Sequence, residues 1–149
     1  MAKHFHLAPL LELSNLRLDQ AARQLGQLIA GEQQASQRLE LLVQYRNEYQ
    51  ALFLAAAEKG LDPQRWRNYR QFLDKIDEAI EQARTMATTA RQRTAAGQKN
   101  WLDKRGKVKA FDTLAQRFHA RIAYEESRNQ QKLMDEHAAR LFGNAKEEE

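Results

Sequence analysis

The chain has no cysteine, two prolines, six glycines, and no apolar run longer than the seven residues from Ala51 to Ala57. Without cysteine there is neither a disulfide framework nor a thiolate metal site, and the composition is compatible with a reducing compartment. A seven-residue apolar run is far too short to cross a bilayer. The N-terminus, with Lys3 alone and a short apolar patch broken by Pro9, makes a poor signal peptide, so the expectation is a soluble cytoplasmic protein. So few glycines and prolines leave little punctuation for a sheet or a many-helix bundle. Enzyme signatures are missing as well: there is no glycine-rich phosphate loop and no HExxH or GxSxG element. His4, His6, His119 and His137 are scattered, and His4 with His6 lacks a third ligand, so no metal is expected. Neighbouring carboxylates such as Glu125–Glu126 and Asp135–Glu136 are ordinary on a polar helix face. No active site, enzymatic activity or cofactor is expected.

What remains is helix-forming. Of 149 residues, 30% are charged, and tracts of Ala, Gln, Glu, Arg, Lys and Leu dominate, the profile of long helices or coiled coil. From about Pro9 to Ala57 the apolar residues follow a heptad. With Leu11 at position a, the a sites are Leu11, Leu18, Leu25, Glu32, Leu39, Arg46 and Phe53. The d sites are Ser14, Ala21, Leu28, Ala35, Leu42, Tyr49 and Ala56, and eleven of the fourteen are apolar. This predicts a coiled-coil helix over about 9–57, roughly 70 Å long at about 1.5 Å per residue.

EKGLDPQ, residues 58–64, is the one strong break. Gly60 suits a helix end, Asp62 an N-cap, and Pro63 the first position of a second helix. That helix, over about 64–142 with an acidic tail at 143–149, carries Tyr69, Phe72, Ile76, Ala79, Ala83, Met86 and Ala90 at heptad spacing. The pattern resumes at Trp101, Val108, Phe111, Ala115, Phe118 and Ile122, so a stutter is expected between Ala90 and Trp101. Two such helices about a short turn predict an all-α fold, a single antiparallel coiled-coil hairpin with the second helix overhanging at its C-terminal end. Folding about residue 60 sets residue i near 120 − i. Ala21, Ala22, Gly26, Ala30, Gly31 and Ala35 then lie opposite Ala83, Ala87, Ala90, Ala95, Ala96 and Gly97, small against small.

Two apolar surfaces exceed what the hairpin uses. In this register residues 112–142 have no partner within the chain, yet they include Leu114, Phe118, Ile122, Leu133, Met134, Leu141 and Phe142. Such a stripe marks a protein-binding surface, or else it self-associates or folds back. The second surplus lies near the turn, in RWRNYRQFL, residues 65–73. Trp66, Tyr69, Phe72, Leu73, Ile76 and Ile80 span an arc of about 120°. Leu42, Tyr45, Tyr49, Leu52 and Phe53 match it on the first helix. Tyr45, Leu52, Leu73 and Ile80 widen that face beyond the a and d positions of a two-helix seam. Arg67 and Arg70 fall outside it, so the stretch reads as a helical docking surface with a basic flank. The rival reading is an aromatic plug that stabilises the hairpin tip.

Charge is uneven along the chain. Residues 84–109 carry eight Lys or Arg against Asp103 alone, while the net charge of the whole is +4. A nucleic-acid-binding coiled coil using 84–109 and 65–73 is therefore an alternative. The simpler reading is a solvated helical shaft, because charge runs on long helices usually face water.

The ordered set DQAARQLG (19–26), YRNEY (45–49), RWRNYRQFL (65–73), AIEQ (79–82), KNW (99–101) and KLMDE (132–136) resembles the flagellar type III export family FliJ. The resemblance implies an antiparallel helical hairpin, similar to the rotary-ATPase gamma subunit, in the bacterial flagellum protein export apparatus and hence in motility. Its implied partners are the hexameric flagellar export ATPase, whose ring it enters as a central stalk and helps assemble, the cytoplasmic domain of the export gate membrane protein, and export chaperones that it escorts. Nucleic acid is not among them. The implied location is cytoplasmic, peripheral to the inner membrane at the flagellar base. The family's gate-contacting positions fall on Leu42, Tyr45, Tyr49, Phe72, Leu73, Ile76, Ala79 and Ala83. The ATPase end would be the paired termini with the overhang, through Leu114, Phe118, Ile122 and Leu133. The extreme N-terminus and residues 84–98 depart most from the family pattern. The equivalent stalk of a virulence type III secretion system is separated from this reading by the motif set alone.

Overall fold

The computed structural model describes residues 4–147; Lys3 and the last two glutamates of the acidic tail lie outside them. Two helices make up the chain: α1, Ala8–Glu58, and α2, Pro63–Glu147. No strand occurs among the described residues, and the helices pack against each other as an antiparallel all-α hairpin.

The turn forms as its residues dictate. Gly60 takes φ 92°, a left-handed conformation that costs glycine nothing, and its amide donates to the Ala57 carbonyl at 3.1 Å. Asp62 then caps α2, its Oδ1 accepting from the Arg65 amide at 2.7 Å, with Pro63 behind it as the first helical residue. At the other end α2 passes through Gly143 and runs to Glu147, beyond the end expected near Phe142. One glycine inside a helix costs only about 1 kcal/mol. Ala145 and a basic residue in the last turn, Lys146 over the Phe142 ring at 5.2 Å, favour continuation.

Contacts divide the chain into two compact units, Asp19–Asp103 and Met1–Leu18 with Lys104–Glu149. Along α1 all fourteen expected a and d positions are withdrawn from solvent, and between residues 11 and 57 Val43 alone joins them. Even Glu32 and Arg46 are half-buried at their a positions, where long side chains can lay their aliphatic stems along the seam. Within unit 19–103 the pairing follows the expected register closely. Tyr49 meets Phe72 with ring centroids 4.3 Å apart, and the Thr94 hydroxyl donates to the Leu28 carbonyl at 3.2 Å.

On α2 the seam keeps a heptad, but with its d positions one residue later than expected. Met86, placed at a d position by spacing, is 59% exposed, and Ala87 beside it is fully buried. Ile80, 5% exposed, likewise lies deeper than Ala79. From Ile76 the steps alternate four and three through Ile80, Ala83, Ala87, Ala90, Thr94, Gly97 and Trp101, so the stutter expected between Ala90 and Trp101 is absent. An alanine admits a closer helix approach than a methionine, so the smaller residue takes the inside position. The small-against-small stripe is only half present. Ala21, Ala35, Ala83, Ala87, Ala90 and Gly97 face inward, whereas Ala22, Gly26, Ala30, Gly31, Ala95 and Ala96 face water. Gly97 receives not a small residue but Leu28, whose Cδ1 would lie 2.6 Å from a Cβ there. The seam packs large into small, as knobs enter holes.

In the other unit the N-terminus is anchored. Phe5 is 6% exposed and packs on Phe118 at 5.6 Å, and its carbonyl accepts from the Ala8 amide at 3.1 Å as α1 begins. Val108 is buried, and Phe111, Ala115, Phe118 and Ile122 are half-buried. The stretch that is exposed at every residue therefore begins after Ile122, not at 112. The expected length of bare helix is shortened, and Phe5, lying ahead of the heptad, covers Phe118 within it.

Candidate functional site

Near the turn, six aromatic side chains from the two helices form one cluster. Tyr49 lies at its centre, its ring 4.3 Å from Phe72, 5.4 Å from Tyr69 and 6.4 Å from Tyr45. Tyr45 meets Phe72 edge-on at 6.1 Å, and Phe53 bridges Tyr69 at 5.5 Å and Trp66 at 6.5 Å. These spacings suit tilted and edge-to-face pairs, so the rings of RWRNYRQFL are engaged with one another and with α1. Burial pushes the Tyr49 hydroxyl above its ordinary pKa of 10.0, with the neighbouring Tyr69 and Tyr45 adding to the effect. Beside the cluster Arg46 donates through Nε to Asp77 across the hairpin and through Nη1 to Gln50 at 3.1 Å.

The eight residues expected to meet a gate fall on this cluster and the seam below it, at unequal depth. Tyr45 is 48% exposed; Leu42, Tyr49, Phe72, Leu73 and Ala79 are half-buried; Ile76 and Ala83 are buried. Only the first six present surface to another molecule. Ile76 and Ala83 support them from within. The arc includes Leu73 at its margin, but Ile80, expected to widen the face, is buried as well. The rings that plug the hairpin tip thus also carry its exposed apolar surface.

The four residues expected at an ATPase contact separate similarly. Leu114 and Leu133 are exposed, whereas Phe118 and Ile122 are half-buried, Phe118 against Phe5 and with the Arg121 guanidinium 5.8 Å from its ring. Beyond Ile122 every described residue is exposed, including Tyr124, Leu133, Met134, Leu141 and Phe142. The basic run at 84–109 is not one solvated face, since Lys104 is half-buried in the seam. Among the described residues no three His, Asp or Glu are grouped to hold a metal ion. No described helix is long and apolar enough to cross a membrane.

The family model described as flagellar FliJ protein matches residues 3–147, nearly the whole chain. The chain belongs to the flagellar FliJ family. A flagellar FliJ protein of Salmonella typhi is 38% identical over 140 residues, covering 94% of this chain and 95% of the relative. A flagellar FliJ protein of Escherichia coli strain K12 is 35% identical over the same shares. FliJ membership makes the chain a flagellar export component and places it in a family without enzymatic activity.

What the heptad reading missed in these surfaces is Phe5, whose only sequence signal is an aromatic three residues ahead of the helix start. It packs across onto Phe118 of α2, a contact no periodicity within α1 would indicate.

Proposed function

We propose that this FliJ-family chain is a central stalk of the flagellar export ATPase ring, which it helps assemble, and that it links the ring to the membrane export gate and escorts export chaperones. It acts from the cytoplasm, at the flagellar base. The observation that carries the reading is the bare end of α2. From residue 123 to 147 a helix bearing Leu133, Met134, Leu141 and Phe142 is exposed throughout. Apolar surface in water costs about 25 cal/mol per Å², and a ring lumen would bury it. A stalk needs no chemistry of its own: binding the closed ring better than open subunits favours the closed ring by mass action.

The test is ATP hydrolysis by the export ATPase at several enzyme concentrations, with the full chain and with the chain ended after Ala123. That truncation spares Phe118 and its partner Phe5. Stimulation should be strongest at low enzyme concentration and lost with the truncated chain. Equal stimulation by both would remove the bare helix from the mechanism.

A further inference from the structure

We propose that the hairpin tip is a contact site for an anionic lipid surface. The inference goes beyond the stalk and gate reading, because it uses residues outside the eight assigned to the gate and a partner that is not a protein.

At the tip, Trp66 is 45% exposed and Leu54 also lies open to water, while Leu61 is half-buried. Leu61 directly precedes the Asp62 cap and Trp66 is the fourth residue of α2, the two positions between which a hydrophobic staple forms. Leu61 and Trp66 thus sit on a turn closed by the Asp62 cap and by the Trp66 amide donating to the Asp62 carbonyl at 3.0 Å. Around them stand Lys59, Arg65, Arg67 and Arg70, all exposed and none in an ion pair among the described residues. Two acidic residues, Glu58 and Asp62, share the region, and the Asp62 carboxylate is engaged by the Arg65 amide. Arg70 lies over the Trp66 ring at 5.7 Å.

An exposed tryptophan ringed by arginines is the composition of a bilayer interface. The indole sits among headgroups, and guanidinium and ammonium groups meet lipid phosphates while their stems lie along the apolar boundary. Net positive charge at the tip complements an anionic leaflet, whose potential draws in basic residues near its surface. A surplus of two charges with one indole gives weak, reversible attachment. It suits a part that visits the membrane while held there by other contacts. Nucleic acid offers the same charge but would need bases stacked on rings, and Trp66 already has Phe53 and Arg70 as neighbours.

The test uses the full chain carrying Trp101→Phe, so that Trp66 alone reports. It is mixed with vesicles of phosphatidylcholine containing about one third phosphatidylglycerol, with and without bromine on the acyl chains. Trp66 emission should shift to the blue and be quenched by the bromolipid at low salt. Both changes should reverse near roughly 0.5 M salt, where screening is short-ranged, and be absent on phosphatidylcholine alone. Arg65→Gln with Arg67→Gln and Arg70→Gln should weaken vesicle co-sedimentation at least severalfold, with helicity by circular dichroism unchanged. No bromolipid quenching at low salt overturns the proposal. So does vesicle binding that survives the triple substitution, or a Trp66 response to single-stranded DNA alone.

Discussion

Leu28 fills the hollow above Gly97, so that a Cβ at position 97 would stand 2.6 Å from Leu28 Cδ1 and 3.6 Å from Leu25 Cδ1. Elsewhere on the shaft Gly26 and Gly31 have nothing within 4 Å of the same position. These glycines have opposite meanings. At Gly26 and Gly31 glycine only lowers helix stability, whereas at Gly97 it also makes room for a neighbour.

Gly26→Ala and Gly31→Ala should each stabilise the hairpin by about 0.5–1 kcal/mol, the helix-propensity gain. Gly97→Ala should gain the same propensity and lose it again, because Leu28 must rotate out of its place and overpacking costs about 1–3 kcal/mol. Urea unfolding of the three variants checks this. A Gly97→Ala chain as stable as Gly26→Ala would mean that Leu28 yields freely.

Arg46 occupies an a position, where a leucine would normally sit, and it meets Asp77 across the hairpin. Both side chains are about a third or more exposed, so screening by water limits the pair to about 0–1 kcal/mol. Asp77→Asn should cost no more than that and should lose its effect in high salt. Arg46→Leu should leave the hairpin as stable or more so, since apolar burial replaces a weak ion pair. The value of the polar pair should instead lie in register. Disulfide trapping of cysteine pairs placed one turn out of register should rise in Arg46→Leu and stay absent in the parent.

The fold was readable because α1 obeys one rule throughout. Its fourteen heptad positions, chosen by spacing, are the ones the hairpin withdraws from water. On α2 the spacing fits two phases, and packing chooses the one with Ile80 and Ala87 inside over the one with Ala79 and Met86, because Ile80 buries more apolar surface than Ala79. The small-residue stripe was misread for a related reason. Alanine and glycine are equally at home on a wet helix face, so a run of them does not point inward by itself. The site was legible as a composition, with too many aromatics for a two-residue-per-heptad seam, but not in depth. Spacing put Ile80 outside the seam, widening an open arc, and packing took it inside, whereas Ile76 is buried as its heptad position requires. Phe5 was invisible to any periodicity, since it precedes the helix.

Phe5→Ala should therefore be the most damaging single change in the N-terminal segment. Truncating a buried aromatic costs about 3–5 kcal/mol where the surroundings cannot collapse, and less beside an open end. Hydrogen exchange should report the loss as faster exchange of amides 8–18. Phe118→Ala should produce the same pattern, and the two losses should not add, because each removes the same ring pair.

Tyr49 gives the hairpin an alkaline limit. Its pKa is raised in the fold above 10.0 by burial first and by Tyr69 and Tyr45 second. The folded chain thus holds this proton more tightly than the unfolded chain. The contribution is complete below pH 10 and is lost as pH climbs through the folded value. Tyr49→Phe should flatten that limb of a urea-midpoint against pH profile above pH 10 while leaving the neutral region nearly unchanged. An equal slope in both proteins would place the titrating group elsewhere.

Tyr45 is the residue at which the proposed gate binding and hairpin stability should separate. It lies outside the a and d positions, is 48% exposed, and touches the cluster through an edge contact with Phe72 and a tilted contact with Tyr49. Ile76, one helix turn beyond Phe72, is buried and presents almost nothing to a partner. If the cluster is the gate surface, Tyr45→Ala should weaken binding to the gate's cytoplasmic domain by about 1–3 kcal/mol, the range of an interface aromatic. Its cost in stability should stay below about 1 kcal/mol, since a half-exposed ring loses little burial. Ile76→Ala should do the reverse, lowering stability by about 2–5 kcal/mol, as a buried truncation does. Under conditions where it remains folded, its affinity should change little. Calorimetric titration at low temperature beside urea unfolding of both variants decides the matter. A Tyr45→Ala chain that binds the gate as the parent does, with its helicity intact, would move the gate surface off this face of the hairpin.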